Sequence, residues 1–214
     1  MGSRLILSAA FACAALVPSA RSLGQEQTPQ ISAEQAPAQV NPVERGLYAS
    51  TSIGALFLYL PGTGSGVASG ALVGVSLGYD FSPLIGLDFF GLGLALNTPS
   101  GYEGLGSAPS ASGDLTAMFP GLELVLRLPL VTDHDDVDRL FLNISVGGGP
   151  LILNPTGLVG TKGVLPAGKA NLSLEYFTHL RHFSVGLALD GLLAFPTGGT
   201  LIGGALSPFA RYSF

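Results

Sequence analysis

The sequence predicts an all-β fold, an up-and-down antiparallel transmembrane β-barrel of eight strands. Along eight segments, apolar residues alternate with small or polar ones, and each segment is near the ~9–11 residues that a tilted membrane strand needs. Clusters of Gly, Pro, Ser, Asn and Asp separate the segments, and no apolar run reaches the roughly 20 residues of a membrane helix. The 31 glycines and the low charged fraction of 11% are unusual for a soluble domain, which favours a fold that faces lipid.

The N-terminus has the pattern of a secretory signal peptide, which we predict over residues 1–24. Arg4 supplies the positive charge, and residues 5–17 form an apolar stretch too short to span a bilayer. Cys13 allows an alternative interpretation as a lipoprotein cleavage site, but the apolar stretch continues past it, which favours the signal peptide. The exported protein would then lack disulfides. Cleavage is expected after one of three small residues: Ala20, Ser22 or Gly24.

Residues 25–44 are rich in Gln, Pro, Ala and Glu and lack aromatic residues, so we predict a flexible periplasmic leader. The barrel is then expected to occupy residues 45–214. The formal net charge of -5 and the lack of any basic cluster argue against nucleic acid as a partner.

The predicted strands alternate cleanly in most segments. Leu142 and Ile144, for example, lie on the opposite face from Asn143 and Ser145, which places aliphatic side chains on one side only. The eight segments cover about residues 46–59, 69–80, 85–96, 115–128, 139–152, 167–177, 183–194 and 204–214.

The third strand departs from this alternation. Leu87 and Phe89 share one parity, whereas Leu92 and Leu94 have the opposite one. A β-bulge near Gly91 would restore the register, and we predict one there.

Connections between the strands alternate in length, which is typical of outer-membrane barrels. Short turns are predicted at residues 81–84, 129–138 and 178–182, and longer loops at 60–69, 97–114, 153–166 and 195–203. Aromatic residues of the outward parity gather at both ends of the strands, where membrane interfaces favour them. They are Tyr79, Tyr176, Phe183, Tyr212 and Phe214 at one end and Phe57, Tyr59 and Phe195 at the other.

Seven charged residues have the inward parity of their strands: Asp88, Glu123, Arg127, Lys169, Glu175, Asp190 and Arg211. An Arg or Lys facing hydrocarbon near the midplane would cost about 2–4 kcal/mol, so inward placement supports the barrel. The interior of an eight-stranded barrel is just wide enough for side chains, and we expect these groups to fill it as an ion-paired network. Conduction of protons or ions is the alternative interpretation.

The last nine residues, Leu-Ser-Pro-Phe-Ala-Arg-Tyr-Ser-Phe, alternate and end on Phe214. This segment resembles the C-terminal signature of bacterial outer-membrane proteins, and residues 45–214 resemble the small barrels of the OmpA transmembrane and OmpX type. The resemblance implies a location in the outer membrane, in contact with its lipid. It also implies that the barrel-assembly machinery is a partner, and that Tyr212 and Phe214 contribute to insertion.

The opening of the barrel, Val43-Glu44-Arg45-Gly46-Leu47-Tyr48, and the Gly/Ser-rich first loop are similar to the CglE-type adventurous-gliding-motility barrels of myxobacteria. This resemblance implies a role in the outer-membrane part of a gliding apparatus, with other envelope or motility proteins as partners. No functional residue is carried over from it.

Two segments could carry chemistry. His182-Phe183-Ser184 resembles the His-x-Ser pair of the outer-membrane lipid A deacylase, but the predicted topology places it at the periplasmic end, away from the outer leaflet. Residues 133–138 concentrate acidic oxygen ligands, yet they lack the glycine and distal Glu of a calcium loop. We therefore expect no catalytic residue, no metal site and no cofactor.

The expected function is structural, anchoring or adhesive, in the cell envelope of a bacterium. Three alternatives stay open: an outer-membrane lipid-modifying enzyme, a narrow ion channel, and a soluble lipocalin-like barrel with its aliphatic residues inside. Catalytic groups that converge at the outer rim would indicate the enzyme, and conductance in planar bilayers would indicate the channel. Solubility without detergent would indicate the lipocalin-like barrel.

Overall fold

The computed structural model describes residues 46–62, 64–102, 114–133, 137–154, 163–178, 180, 182–196 and 199–214. Within these residues, eight strands pair antiparallel with their neighbours in the chain, and the first pairs with the last, which closes the barrel. The predicted fold class is therefore confirmed. The strands are β1 Leu47–Leu60, β2 Gly66–Asp80, β3 Ile85–Asn97, β4 Asp114–Thr132, β5 Asp138–Asn154, β6 Val164–Phe177, β7 Phe183–Ala194 and β8 Leu201–Ser213.

The predicted signal peptide, with Cys13, and the predicted leader lie outside the described residues. In the described part of the chain, no helix has the length and apolar character needed to cross a membrane. We call the rim at which β1 begins and β8 ends the terminus rim, and the opposite one the loop rim.

Two of the short turns at the terminus rim are formed in different ways. In the first, the Ser82 hydroxyl accepts hydrogen bonds from the backbone N–H groups of Leu84 and Ile85, which fixes a tight reversal. The second turn is shorter than the predicted 129–138, because β4 and β5 continue as a hairpin to Thr132 and Asp138.

That hairpin extends past the point where β3 begins. Ile85 is the first residue of β3 to pair with β4, at Leu126, so the β4 edge beyond Arg127 has no strand beside it. Pro129 lies on this uncovered edge and has no N–H group to offer to another strand. The proline therefore limits edge-to-edge pairing at this exposed edge of the sheet.

The outer surface is apolar over the whole height of the barrel. Aliphatic residues such as Val75 and Leu187 are 61% and 49% exposed, although they lie in the middle of their strands. The predicted outward aromatic residues Tyr79, Tyr212 and Phe214 are exposed near the terminus rim, and Phe57 is exposed toward the loop rim. Phe183 is only partly exposed.

The predicted β-bulge near Gly91 is wrong. β3 pairs without interruption with β2 from Gly86 to Asn97 and with β4 from Ile85 to Asn97. The parity of the leucines changes because they point into the barrel: Leu92, Leu94 and Leu96 are buried. A regular strand thus turns its apolar side chains outward in one half and inward in the other.

The interior is accordingly divided into two halves. Near the loop rim it is filled by a leucine plug, which we define as the buried apolar side chains between mid-barrel and that rim. Its members include Leu56, Leu58, Leu60, Leu94, Leu96, Leu115, Phe119, Leu151, Leu153, Leu165, Leu192 and Leu201. Near the terminus rim the interior is polar.

Interior glycines allow this dense filling. A Cβ atom at Gly70 would collide with the backbone of Ala95 and Leu96, whereas one at the outward Gly93 would meet nothing closer than the Val73 carbonyl oxygen at 3.8 Å. Both glycines lie in regular strand conformation, so the difference between them is steric.

We expect Gly70→Ala to lower the free energy of unfolding by about 1–3 kcal/mol, because the added methyl group must displace backbone. The control Gly93→Ala should leave stability unchanged or raise it by up to about 1 kcal/mol, since a strand glycine is entropically costly. Urea-induced unfolding in uncharged detergent micelles measures both. Equal effects of the two substitutions would contradict the described packing.

Candidate functional site

Four charges form a closed ring inside the barrel near the terminus rim. Arg127 bonds to Asp80 at 3.0 Å and to Glu175 at 2.9 Å, and Arg211 bonds to Asp80 at 2.6 Å and to Glu175 at 3.5 Å. Each member comes from a different even-numbered strand, in the order β2, β4, β6 and β8. We call this set the charge ring; its two positive and two negative charges balance.

Glu175 is the most enclosed member of the charge ring, with 0% exposure. Besides the two arginines, it accepts hydrogen bonds from the Asn143 amide at 2.7 Å and from the Ser184 hydroxyl at 2.5 Å. These donors come from β5 and β7, so the carboxylate is held from four strands. Hydrogen bonds and ion pairs from protein groups therefore compensate the buried charge of Glu175.

Tyr48 of β1 packs its ring against the charge ring. The Arg211 guanidinium lies 3.4 Å from the centre of the Tyr48 ring, and that of Arg127 lies 5.0 Å from it. Such cation–π contacts stabilise a guanidinium that has left water. The Tyr48 ring thus contacts both cations of the charge ring.

A second polar layer lies toward mid-barrel. The Lys169 ammonium bonds to Glu123 at 2.9 Å and to Asp190 at 3.5 Å, and it lies 4.6 Å from the centre of the Phe90 ring. Glu123, Lys169 and Asp190 are the lysine cluster. It carries one negative charge in excess, which hydrogen bonds from Ser145 to Glu123 and from Asn171 to Asp190 partly stabilise.

Asp88 lies beside the lysine cluster without an ion-pair partner among the described residues. It is directly opposite Glu123 across the β3–β4 ladder. Its Oδ2 atom accepts a long hydrogen bond of 3.4 Å from Ser76, and its Oδ1 atom has no partner. Asp88 is therefore a buried carboxylate opposite a second carboxylate, and Arg127, Arg211 and Lys169 act on it only without direct contact.

These layers surround a polar cavity of about 100 Å³. Members of the charge ring, the lysine cluster and Asp88 contribute to its lining, together with serines of β1, β2 and β8. In the leucine plug, by contrast, the cavity has a volume of only about 20 Å³ and an apolar lining. The polar interior is thus the one with room for a ligand among the described parts of the barrel.

All seven charged residues predicted for the interior lie there, each less than 9% exposed. The structure brings three of them into the charge ring and three into the lysine cluster, and leaves Asp88 apart. Asp80 is not among the predicted interior charges, because it is the last residue of its predicted strand, 69–80. Its inward parity, shared with Ser76 and Gly78, was the available signal. The inward Tyr48 was missed because it was read only as part of the barrel's opening.

The predicted catalytic candidates do not form a catalytic pair with each other. The Ser184 hydroxyl donates to Glu175 inside the lumen, while the His182 ring bonds to the Ser213 carbonyl oxygen at 3.0 Å and stacks on the outward Tyr212. In the acidic turn, Asp133 pairs with Arg139 at 2.8 Å. Among the described residues, no group of three or more His, Cys, Asp and Glu side chains has the arrangement of a metal site.

The predicted assembly residues lie at the end of β8. Tyr212 contacts the ring of Phe214 edge-on at 5.2 Å, and the Phe214 N–H donates to the Leu47 carbonyl oxygen, which joins the end of the last strand to the start of the first. Both rings are exposed on the outer surface. Their role in assembly stays a prediction.

At the loop rim, Tyr102 folds back over the leucine plug. Its side chain is 3% exposed, and its hydroxyl donates to the Pro61 carbonyl oxygen at 3.0 Å. Burial raises the pKa of the Tyr102 phenol above its ordinary value. The contact ties the segment after β3 to the end of β1 and covers the apolar interior.

The fold and its interior define the chain as a small, closed eight-stranded barrel. Neisserial surface protein A (NspA) is similar in structure, with a TM-score of 0.54 and 12% sequence identity over 79% of this chain and 97% of that one. Ail, the attachment invasion locus protein of Yersinia pestis, gives a TM-score of 0.43 and 14% identity over 79% of this chain and 100% of that one. No protein-family model and no curated protein sequence matches the chain.

The NspA likeness confirms the small-barrel fold that the OmpA and OmpX resemblance predicted. It does not extend to a function, because sequence identity is low. The resemblance to gliding-motility barrels has no counterpart among these structures.

The charge ring makes a stability prediction. We expect Glu175→Gln to lower the free energy of unfolding by about 3–5 kcal/mol, because two buried guanidinium groups lose a shared carboxylate. The control Asp133→Asn, which removes a carboxylate from a partly exposed pair, should cost less than about 1 kcal/mol. Urea-induced unfolding, followed by tyrosine fluorescence, measures both. Similar losses of unfolding free energy in the two variants would mean that the charge ring contributes no more to stability than a partly exposed ion pair does.

Proposed function

We propose that the chain is a bacterial outer-membrane barrel with a structural, anchoring or adhesive role in the envelope. The observation that carries the proposal is the combination of an apolar outer surface with buried charges. A water-soluble barrel would have the opposite distribution, with charges outside and aliphatic residues confined to the interior. The exposed Tyr79, Tyr212 and Phe214 near one rim, and Phe57 and Phe195 toward the other, support a membrane between two aromatic girdles.

The orientation follows the same reasoning. The short turns lie at the terminus rim, so we assign that rim to the periplasm and the loop rim to the cell exterior. The proposal for this chain rests on its own surface; the name of Neisserial surface protein A describes that protein alone.

Pore function has little support, because the leucine plug fills the loop half of the described barrel. A permeating ion would have to leave the polar interior and pass an apolar layer, at a high desolvation cost. A lipid-modifying activity has little support either, because Ser184 is committed to Glu175 inside the lumen. Participation in a gliding apparatus stays a prediction, and three of the six residues of the opening segment that carries the resemblance lie outside the described ranges.

A charge on the outer surface tests membrane embedding. We expect Leu187→Arg, in the middle of β7, to lower the free energy of unfolding in lipid vesicles by about 2–4 kcal/mol. The control Leu180→Arg changes an exposed leucine in the turn at the terminus rim and should cost less than about 1 kcal/mol. Urea titration in vesicles measures both variants. If both substitutions are tolerated equally, the outer surface does not face hydrocarbon.

Site-specific photocrosslinking tests the anchoring or adhesive role. A photoreactive residue at Ser100, beyond β3 on the loop side, or at Leu180, at the terminus rim, should form adducts with a specific envelope protein or glycan in intact cells. The same residue at Leu187 should label lipid only, which makes it the matched control. Labelling restricted to lipid and general assembly factors at both rims would contradict the proposed role.

A further inference from the structure

The polar interior carries a charge imbalance that its ion pairs leave uncompensated. Five buried carboxylates face three buried cationic groups among the described residues. The charge ring is balanced, so the two excess negative charges belong to the lysine cluster and to Asp88. Burying uncompensated charge away from water is costly, and a protein normally offsets it with a counter-ion or a bound proton.

Unpartnered polar atoms meet where this charge is concentrated. Tyr48 is 1% exposed and Asp88 is 7% exposed, and neither the Tyr48 hydroxyl nor Asp88 Oδ1 has a hydrogen-bond partner. A Cβ atom at Gly78 would collide with both of these atoms, so they lie together over that glycine. The missing side chain of Gly78 thus makes room for Tyr48 and Asp88, which bring two unpartnered oxygen atoms to the lining of one cavity.

The neighbouring groups on this side of the cavity are also oxygen donors. Ser76 bonds to Asp88 at 3.4 Å and to the Ser50 hydroxyl at 2.8 Å, and all of these residues line the cavity of about 100 Å³. The nearby Arg211 and Arg127 guanidinium groups are shared between Asp80 and Glu175, so their charge is already balanced within the ring.

From this geometry we propose that the barrel interior binds a monovalent hard cation such as sodium, with Asp88 and Tyr48 as ligands. Hard cations prefer carboxylate and neutral oxygen ligands, and the serine hydroxyls and water can complete the shell. A single charge matches the one carboxylate that lacks a cationic partner. The cation neutralises Asp88 and stabilises the folded barrel.

Stability measurements in different salts test the site. Urea-induced unfolding of the full barrel in uncharged detergent is compared in sodium chloride and in tetramethylammonium chloride of equal ionic strength, since the methyl groups of the organic cation prevent direct coordination by oxygen ligands. The unfolding midpoint should rise with sodium and saturate, as for ligand binding to the native state. Asp88→Asn should lose this dependence, whereas Asp133→Asn, outside the barrel, should keep it.

Equal stability in the two salts would overturn the proposal, and so would a sodium effect that survives in Asp88→Asn. If stability instead depends on pH in wild type but not in Asp88→Asn, with no effect of sodium, a proton neutralises Asp88 and no cation site exists.

Sodium NMR keeps the test decisive if Asp88→Asn does not fold. Wild-type protein should broaden the sodium resonance saturably, and potassium should reverse the broadening. Tyr48→Phe keeps the ring against Arg211 and removes only the hydroxyl, so it should fold and bind sodium about three- to tenfold more weakly. No saturable broadening by wild type, or unchanged affinity in Tyr48→Phe, would overturn the proposed ligand set.

Discussion

The structure depends on one constraint: in a closed sheet of eight strands with an apolar exterior, every charge must find its partner inside a lumen only as wide as its side chains. The charge ring meets this constraint with one residue from each even-numbered strand. Neighbouring members have opposite sign, so each guanidinium contacts two carboxylates and each carboxylate two guanidiniums. The inward side chains of TIM barrels likewise stack in layers contributed by alternate strands.

The ion pairs of the charge ring form only in the correct strand register, and they in turn disfavour other registers. A slip of one residue in any even-numbered strand would turn its charge toward the exterior and leave the other three unbalanced. Buried ion pairs contribute little net stability compared with apolar packing, but breaking one is costly, so the ring disfavours wrong registers more than it favours the correct one. Gly70 and Gly78 also favour the correct register, because their missing side chains make room for the groups of neighbouring strands that lie against them.

Period-two alternation in the sequence was enough to predict the fold class, the number of strands, and the inward position of residues such as Glu175 and Arg211. It failed at β3, because a change of parity at Leu92 has two explanations, a bulge or an inward apolar side chain, and local sequence cannot distinguish them. The pairing of Asp80 with Arg211 was also beyond reach. These residues are 131 positions apart, and their contact depends on the stagger of the strands around the barrel, which alternation does not encode.

The division of the interior explains why the polar half is the candidate site. The leucine plug removes water from the loop half, and a low dielectric next to the lysine cluster strengthens the field of its excess negative charge. Asp88 is the inward carboxylate of β3, a strand that contributes to neither the charge ring nor the lysine cluster, and it forms no direct ion pair among the described residues. The neighbouring strands place the Ser76 hydroxyl and the Glu123 carboxylate beside Asp88, rather than an ammonium or guanidinium group, and the proposed cation balances this charge from outside the chain. If the interior side chains only filled space, a neutral residue at position 88 would avoid the cost of burying this charge.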